Sequence, residues 1–319
     1  MKTYDDPELQ AIAVKLTSED PGIRRVAVMD LVDSGEPEAV ELVIQALNDP
    51  DTNVRQEAAK VVDEFEAADM ADALIAALSD NDEVVRNSAA HALADLKDPA
   101  AAAPLLEALE SSTDGFVVSG ILRALKPLRN PGSQRPALKR LGDEDPRVRR
   151  EAVAVIGWLK QPENLPALVE TAQHDKDPEV RRAATGALVY ASPQQVGQAL
   201  IALLKDEHWQ VRCEAANSIG KLDHQEAVQA LMESTRDELW QVREKAVDAL
   251  GKLGSTDAIP VLGECSKDAM SNLRKAAIGA LGTIAHSDGR PFVVTALDDP
   301  DPDVRKLARW AISKLDAAA

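Results

Sequence analysis

The stretch Asp206-Glu207-His208-Trp209-Gln210-Val211-Arg212-Cys213-Glu214-Ala215 returns 31 residues later as Asp237-Glu238-Leu239-Trp240-Gln241-Val242-Arg243-Glu244-Lys245-Ala246. Both copies have an Asp, an Arg six residues later that follows an apolar residue, and small residues after the Arg. The Arg recurs at Arg24, Arg55, Arg86, Arg149, Arg181, Arg212, Arg243, Arg274 and Arg305, and Val118 occupies the remaining place in the series. Every step is 31 or 32 residues, and a fixed period of this length predicts a solenoid.

Each period has room for two helices joined by a turn. In the second period, apolar residues recur at helical spacing over 37–47, a turn follows at 48–51, and a second helical pattern runs to about Phe65. Ten such units fill the chain. We therefore expect an all-α fold, a right-handed α-solenoid of about ten two-helix repeats of 31 residues.

The second helical patterns resemble the HEAT-repeat family. They are most similar to the short HEAT-like repeats named after phycobilisome bilin lyases, whose pattern is D-P-x-V-R-x-x-A-x-x-A-L-G. Residues 177–188 read DPEVRRAATGAL, and residues 273–282 read LRKAAIGALG. The resemblance covers essentially the whole chain and implies stacked helical hairpins. For function it implies lyases, adaptors, chaperones or scaffolds alike.

In that family an Asp in the turn and the Arg six residues later form hydrogen bonds along the stack. The resemblance therefore implies that these arginines are structural and do not belong to a binding site. Repeat 4 has neither member, because Ser112 and Val118 stand in their places. The pair recurs as Asp49/Arg55, Asp80/Arg86, Asp143/Arg149, Asp175/Arg181, Asp206/Arg212, Asp237/Arg243, Asp268/Arg274 and Asp299/Arg305.

Charge is distributed unevenly along the chain. Residues 1–120 contain 26 acidic and 8 basic side chains, whereas residues 121–319 contain 28 of each, so the first part carries the whole net charge of −18. An acidic surface repels phosphate backbones, which disfavours nucleic-acid binding. The acidic part either keeps copies of the protein apart in solution or docks a basic partner.

We expect one domain over residues 1–319, with four segments that differ in composition. These are acidic repeats 1–4 at about 1–128, an irregular repeat 4/5 junction at about 112–146, aromatic-bearing repeats 5–8 at about 132–254 and C-terminal repeats at about 255–319. The junction contains Gly115, Gly120 and Pro127 inside a helical pattern and a strong turn at 130–132.

Basic residues gather at and after this junction. They are Arg123, Lys126, Arg129, Arg135, Lys139, Arg140, Arg147, Arg149 and Arg150. Two interpretations are open: a patch that holds an anionic ligand or an acidic partner, or a neutral seam in which these cations pair with neighbouring acids.

Catalytic patterns are nearly absent. The five histidines lie in separate repeats, and none precedes a Glu, unlike the His-Glu metal ligands of iron hydroxylases built on HEAT repeats. Cys213 and Cys265 are too few for a disulfide framework and lack metal-ligand spacing. There is no phosphate-binding loop and no nucleophile elbow. His208 near Cys213 suggests an acid–thiol pair, although chance proximity explains it better. We expect no catalytic residue, no metal and no cofactor.

Targeting signals are also missing from the pattern. No apolar run reaches 18 residues, and the first residues lack the basic-then-apolar layout of a signal peptide. We therefore expect a cytoplasmic protein with no membrane partner.

Aromatic residues fall on the exposed positions of the second helices. Counted from the repeated Arg, positions +3, +4, +6, +7 and +10 form the predicted core, and −3, −2, +1, +2, +5 and +9 face away from it. The latter face is the concave one if the array curves as HEAT-repeat proteins do. Trp209 and Trp240 occupy −3, Phe116 occupies −2, Trp310 occupies +5, and Trp158 and Tyr190 occupy +9.

These rings and their polar neighbours form the predicted partner-binding set. It comprises Phe116, Arg123, Arg147, Arg150, Trp158, Arg182, Tyr190, Trp209, Gln210, Cys213, Asn217, Trp240, Gln241, Lys245 and Trp310. Aromatic residues and Arg together are typical of protein-binding hot spots. The other interpretation is that the rings shield neighbouring helices and bind nothing.

The sequence favours a non-catalytic adaptor, scaffold or assembly factor that holds another protein in its concave groove. The first alternative, implied by the resemblance, is a bilin-lyase-like protein that handles a tetrapyrrole. The second is an engineered HEAT-like binder.

Overall fold

The computed structural model describes residues 2–65 and 70–318, which form 20 α-helices and no strand. The helices alternate as first and second members of ten hairpins, so the all-α fold of repeated two-helix units is confirmed. The chain divides into two compact units, residues 1–159 and 160–319. Whether the whole chain acts as one domain stays a prediction.

The first unit, residues 1–159, contains five hairpins. Its helices are α1 (Pro7–Lys15), α2 (Pro21–Ser34), α3 (Ala39–Leu47), α4 (Thr52–Val61), α5 (Ala71–Ala77), α6 (Glu83–Ala94), α7 (Ala102–Ser111), α8 (Gly115–Leu128), α9 (Gln134–Arg140) and α10 (Pro146–Leu159). Each even-numbered second helix packs on its own first helix, and α2, α4, α6, α8 and α10 pack one on the next in that order, which buries a core of Ala, Leu and Val.

The second unit, residues 160–319, contains the other five hairpins and packs in the same way. Its helices are α11 (Leu165–His174), α12 (Pro178–Ala187), α13 (Pro193–Leu203), α14 (Trp209–Leu222), α15 (Val228–Ser234), α16 (Trp240–Leu253), α17 (Ile259–Cys265), α18 (Ser271–Ile284), α19 (Arg290–Thr295) and α20 (Pro302–Ala318).

Asp side chains start many of the second helices. Asp51 accepts hydrogen bonds from the backbone N–H groups of Asn53 and Val54, and Asp82 and Asp114 cap α6 and α8 in the same way. The predicted end of the second helix in repeat 2 was wrong. Helix α4 stops at Val61 and a short 3₁₀ turn follows at 62–64, so Phe65 lies beyond the helix, half-buried.

The repeated Arg and Asp residues form a ladder between repeats. The carboxylate that binds each Arg belongs to the following repeat, 25 residues later, and not to the turn six residues before it. The described rungs are Arg24–Asp49, Arg55–Asp80, Arg181–Asp206, Arg212–Asp237 and Arg274–Asp299 at 2.7–2.9 Å, and Arg243–Asp268 at 3.6 Å. Within its own turn each Arg donates instead to the backbone, as Arg55 Nη1 does to the carbonyl oxygen of Asp49 at 2.9 Å.

Repeat 4 departs from the ladder, and a residue outside the series compensates for one missing member. Arg140, at the end of α9, donates through Nη2 to the carbonyl oxygen of Ser112 at 2.7 Å and through Nη1 to the carboxylate of Asp143 at 3.3 Å. These are the two groups that an arginine at position 118 would bind. Arg140 therefore does the work of the ladder arginine that repeat 4 lacks, and Val118 is buried.

Close helix contacts in the second unit depend on glycines eight residues after the ladder Arg. A Cβ added at Gly251 would lie 2.8 Å from Cα of Ala280, and one added at Gly220 would lie 3.2 Å from Cα of Ala249. Adjacent second helices therefore approach until their backbones nearly touch. In the first unit the last repeat also has a glycine there, Gly157, whereas the other repeats have larger residues, such as Val32.

Candidate binding surface

The predicted aromatic residues are exposed to different degrees. Trp158 is 45% exposed and Trp310 is 39% exposed. Trp209, Trp240, Tyr190 and Phe116 are half-buried. All of these rings are at least partly accessible, but most of them also pack against their neighbours.

Trp209 and Trp240 are the first residues of α14 and α16. In four other repeats this position holds a Pro, which suits the start of a helix because its missing N–H would be unpaired there. Helices α14 and α16 pack side by side. The structure thus brings the two indoles to the same end of neighbouring helices, each followed by a half-buried Gln, Gln210 or Gln241.

Trp158 lies near the C-terminal end of α10, and Tyr190 lies in the 3₁₀ turn that follows α12. Arg129 lies over the Trp158 ring at 4.8 Å from its centroid. The Tyr190 hydroxyl donates to the carbonyl oxygen of Gln161 at 3.0 Å, and burial raises the pKa of this phenol. Position +9 is twelve residues from position −3, which is roughly 18 Å along a helix.

The six rings occupy four different positions of their repeats, −3, −2, +5 and +9, and their common membership of one binding surface stays a prediction. Trp310 lies midway along α20, where an added Cβ at Gly282 would meet its ring at 2.5 Å. Phe116 lies under the Arg86 guanidinium, 5.8 Å from ring centroid to Cζ. Among these rings, Trp209 and Trp240 repeat one position on adjacent helices of the same unit.

The charged members of the predicted set are mostly paired within their own unit. The contacts are Arg123–Glu151 at 3.1 Å, Arg147–Asp145 at 2.6 Å, Arg150–Glu151 at 3.9 Å, Arg182–Glu179 at 2.7 Å and Lys245–Asp248 at 3.6 Å. Asn217 Nδ2 donates to Glu214 at 3.3 Å. This pairing makes the face close to neutral.

The junction cations divide in the same way. Arg123, Arg140 and Arg147 have acidic partners, as the neutral-seam interpretation predicts. Arg135, Lys139 and Arg140 line an open cavity of about 650 Å³ between α7 and α9, together with Glu110. Three cations against one carboxylate give this cavity a positive lining, so the interpretation as an anion-binding patch stays a prediction.

The thiol of Cys213 is not activated. Burial, opposed by the nearby Lys245 ammonium, raises its pKa to about 11, and burial likewise raises the pKa of Cys265 to about 11. The Nδ1 atom of His208 is buried and makes no hydrogen bond to any described residue. The suggested acid–thiol pair therefore does not form.

No three His, Cys, Asp or Glu side chains within 2–65 and 70–318 converge as metal ligands. No helix in that part of the chain has the length and apolar character needed to cross a bilayer.

Comparison with known structures places the fold among helical repeat proteins. Kap95p aligns with a TM-score of 0.69 at 13% identity, over 98% of this chain and 51% of Kap95p, so the chain spans about half the length of that protein. The Escherichia coli protein YibA aligns with a TM-score of 0.53 at 22% identity, over 99% of each chain. An engineered protein aligns with a TM-score of 0.50 at 21% identity, over 98% of this chain and 99% of that one.

At such identities the likeness concerns the fold alone. No curated protein matches the chain. A family model described as HEAT repeats matches residues 7–89, 42–126, 105–189, 197–270 and 264–319, which together include nearly the whole chain. The chain therefore belongs to the HEAT-repeat family.

Proposed function

We propose that this protein is a non-catalytic adaptor or scaffold that binds another protein through the second helices of its hairpins. The observation that carries this proposal is the recurrence of Trp209 and Trp240 at one position of adjacent helices, half-buried and half-accessible. Such rings supply a large contact area and lose little conformational entropy on binding, because packing already restricts them.

The surroundings of the two indoles suit a protein partner. Gln210 and Gln241 follow the rings and can adapt their hydrogen bonds, and the nearby ions are already paired, as Lys245 is with Asp248. Docking would therefore not leave an isolated buried charge. Cys213 contributes only apolar contact, because its thiol stays protonated at neutral pH.

The acidic part of the chain supports a further property of the partner. Residues 1–120 carry the whole net charge of −18, which would speed the approach of a basic protein. We expect association to slow as salt is added, whereas the aromatic contacts would mainly set the dissociation rate.

Likeness to a protein-binding structure is consistent with this role. Kap95p binding induces the switch loops of RanGDP to adopt the GTP-bound conformation. That interaction belongs to Kap95p, and here it supplies only a precedent for protein binding by a helical array of similar fold.

Site-specific photo-crosslinking tests the proposed surface. A photoreactive amino acid placed at Gln210 or Gln241 in cells of the native host should crosslink a protein. The matched control is the same group at Gln198 or Gln229, which are exposed on the first helices of the same two repeats. Equal crosslinking from the second-helix and the first-helix positions, or crosslinking from neither, would contradict the assignment. The double variant Trp209→Ala/Trp240→Ala should lose the crosslink and keep its helical circular dichroism.

The bilin-lyase alternative has no specific support among the described residues, and no named relative handles a tetrapyrrole. A change in bilin absorbance on mixing would revive it. Likeness to an engineered protein concerns fold, so it gives no reason to prefer the engineered-binder alternative.

A further inference from the structure

Ser112 stands where eight of the ten repeats hold an Asp, and the first repeat, which follows no ladder Arg, has Ser18 there. The register is fixed by the helix caps, because Asp114 caps α8 two residues after Ser112, as Asp82 caps α6 two residues after Asp80. The carbonyl oxygens agree as well. Arg86 donates to the carbonyl of Asp80 at 2.8 Å, and Arg140 donates to that of Ser112 at 2.7 Å. Ser112 is therefore the structural counterpart of a ladder Asp.

Arg86 lacks the carboxylate that this Asp would supply. Its Nη1 atom donates to the carbonyl oxygens of Asp80 and Asn81, as in the complete rungs. No carboxylate of the described residues lies within ion-pair distance of its guanidinium. In complete rungs the Nε and Nη2 atoms hold both oxygens of the Asp, as Arg55 holds Asp80 at 2.7 and 3.1 Å. The Nε and Nη2 atoms of Arg86 can therefore donate hydrogen bonds to an oxyanion.

Ser112 is also placed for modification. It lies in the turn between α7 and α8, half-buried and flanked by exposed Ser111 and Thr113. The turn precedes the N-terminus of α8, where a negative charge is favourable. Arg140 contacts the same turn, because its Nη2 atom donates to the carbonyl oxygen of Ser112. Ser112 thus sits in an accessible turn that two arginines approach.

We propose that Ser112 is a phosphorylation site whose phosphate completes the missing rung by binding Arg86 and Arg140. The donor is ATP bound to a protein kinase. The Ser112 Oγ attacks the γ-phosphorus, the bond from that phosphorus to the β–γ bridging oxygen breaks, ADP leaves, and the hydroxyl proton passes to a base of the kinase. The dianion then supplies the charge and the acceptor oxygens that Asp supplies elsewhere.

A covalent phosphate fits this place better than a dissolved anion or an acidic partner. Asp114 lies two residues after Ser112, and residues 1–120 are strongly acidic overall. This charge repels a free anion, but it does not prevent the binding of a phosphate tethered at Ser112. The expected effect is a tighter association of repeats 3, 4 and 5.

Two measurements test the proposal. Peptide mapping of the protein isolated from its native cells, with and without phosphatase treatment, should find phosphate on Ser112. Its absence, or phosphate only on Ser111 or Thr113, overturns the proposal.

The second measurement uses homogeneous protein with phosphoserine installed at position 112 during translation. Its ³¹P resonance should titrate with a second pKa about one unit below the ordinary value near 6, because two guanidinium groups stabilise the dianion. Phosphoserine at Ser111 is the matched control and should titrate normally. The Arg86→Met variant should bring the Ser112 phosphate back towards the control. Equal titration of the two phosphates would overturn the proposal.

Discussion

Residues 160–318 repeat one set of contacts, whereas within residues 2–159 the series is interrupted at Arg86. The second unit has consecutive ladder rungs from Arg181 to Asp299 and glycine contacts between its second helices. The first unit has two rungs, at Arg24 and Arg55, and then reaches Arg86, which has no carboxylate partner among the described residues.

This difference teaches that the array tolerates a missing contact where another group satisfies the backbone. Each ladder Arg has two tasks: it binds the carbonyl oxygens of its own turn, and it binds the carboxylate of the next repeat. In repeat 4 the first task passes to Arg140, while the second task of Arg86 is left undone. Four changes to the molecule test this division.

The largest expected effect comes from Arg212→Met compared with Arg86→Met. Arg212→Met removes the cation that pairs with the carboxylate of Asp237. That carboxylate is almost buried, since the Asp237 side chain is only 12% exposed. We expect a loss of about 3–5 kcal/mol in the free energy of unfolding. Arg86→Met removes only bonds to two carbonyls and a contact with Phe116, which should cost about 1–2 kcal/mol.

Urea unfolding followed by circular dichroism measures both variants. Arg212→Lys is the control for charge without the two-pronged geometry, and it should fall between wild type and Arg212→Met. Equal losses for Arg212→Met and Arg86→Met would mean that the ladder carboxylates add nothing to stability.

The next effect concerns the helix contacts of the second unit. Gly251→Ala would place a Cβ 2.8 Å from the backbone of Ala280, so the two helices must separate. Overpacking of this kind costs about 1–3 kcal/mol and exceeds the gain of about 1 kcal/mol in helix propensity. Gly279→Ala is the control. A Cβ added at Gly279 would have Leu307 Cδ2 as its nearest atom at 3.4 Å, which is an ordinary contact, so this variant should be more stable than wild type. In thermal unfolding, the melting temperature should fall for Gly251→Ala and rise for Gly279→Ala. Changes of the same sign in both variants would refute the close helix contact at Gly251.

Much of the fold could be predicted because the period is encoded many times. The Arg series, the apolar stripes and the turn residues each indicate the same ten hairpins, and these appear as α1–α20. The ladder partners could not be predicted as readily, because an Asp lies both six residues before and 25 residues after most of the arginines. Only the packing of one repeat on the next chooses between the two.

The candidate site was harder to predict for a related reason. Helical periodicity separates an inner from an outer face, but it does not say where a ring lies along the helix or what covers it. Trp158 and Tyr190 share a face with Trp209 in the pattern, yet they pack on Arg129 and on the carbonyl of Gln161. Arg129 and Gln161 lie in turns outside the helical pattern. The groups that Arg140 binds, at Ser112 and Asp143, lie in such turns as well.

Acid should weaken the ladder in both units. Hydrogen bonds from Arg55 hold the pKa of Asp80 below its usual range, and those from Arg274 do the same for Asp299. A carboxyl group whose pKa is lower in the folded state stabilises the fold above its unfolded pKa, near 3.9, and this stabilisation disappears as the pH falls through the folded value. The melting temperature should therefore fall steeply below about pH 4.

Asp299→Asn sharpens this test. The variant should melt lower than wild type at pH 7, and its melting temperature should fall less between pH 4 and pH 2, because one titrating rung is gone. Asp298→Asn, at the neighbouring exposed carboxylate, is the control and should keep the wild-type slope. If the melting temperature of Asp299→Asn falls with pH as steeply as that of wild type, the acid acts elsewhere in the molecule.

The smallest net effect, that of a double variant, tests whether Arg140 performs the task of the arginine missing from position 118. Val118→Arg alone should lower the free energy of unfolding by about 1–3 kcal/mol, because Val118 is buried and the carbonyl of Ser112 and the carboxylate of Asp143 already have Arg140. Arg140→Ala should cost about 1–3 kcal/mol, because the carbonyl of Ser112 loses this donor and the carboxylate of Asp143 loses this ion pair. In the Arg140→Ala background, Val118→Arg should recover most of that loss, because the two side chains serve the same acceptors. The coupling energy of this double-mutant cycle is the decisive quantity. A strictly additive cycle would mean that the two arginines act independently, and the explanation offered for the irregular repeat would then be wrong.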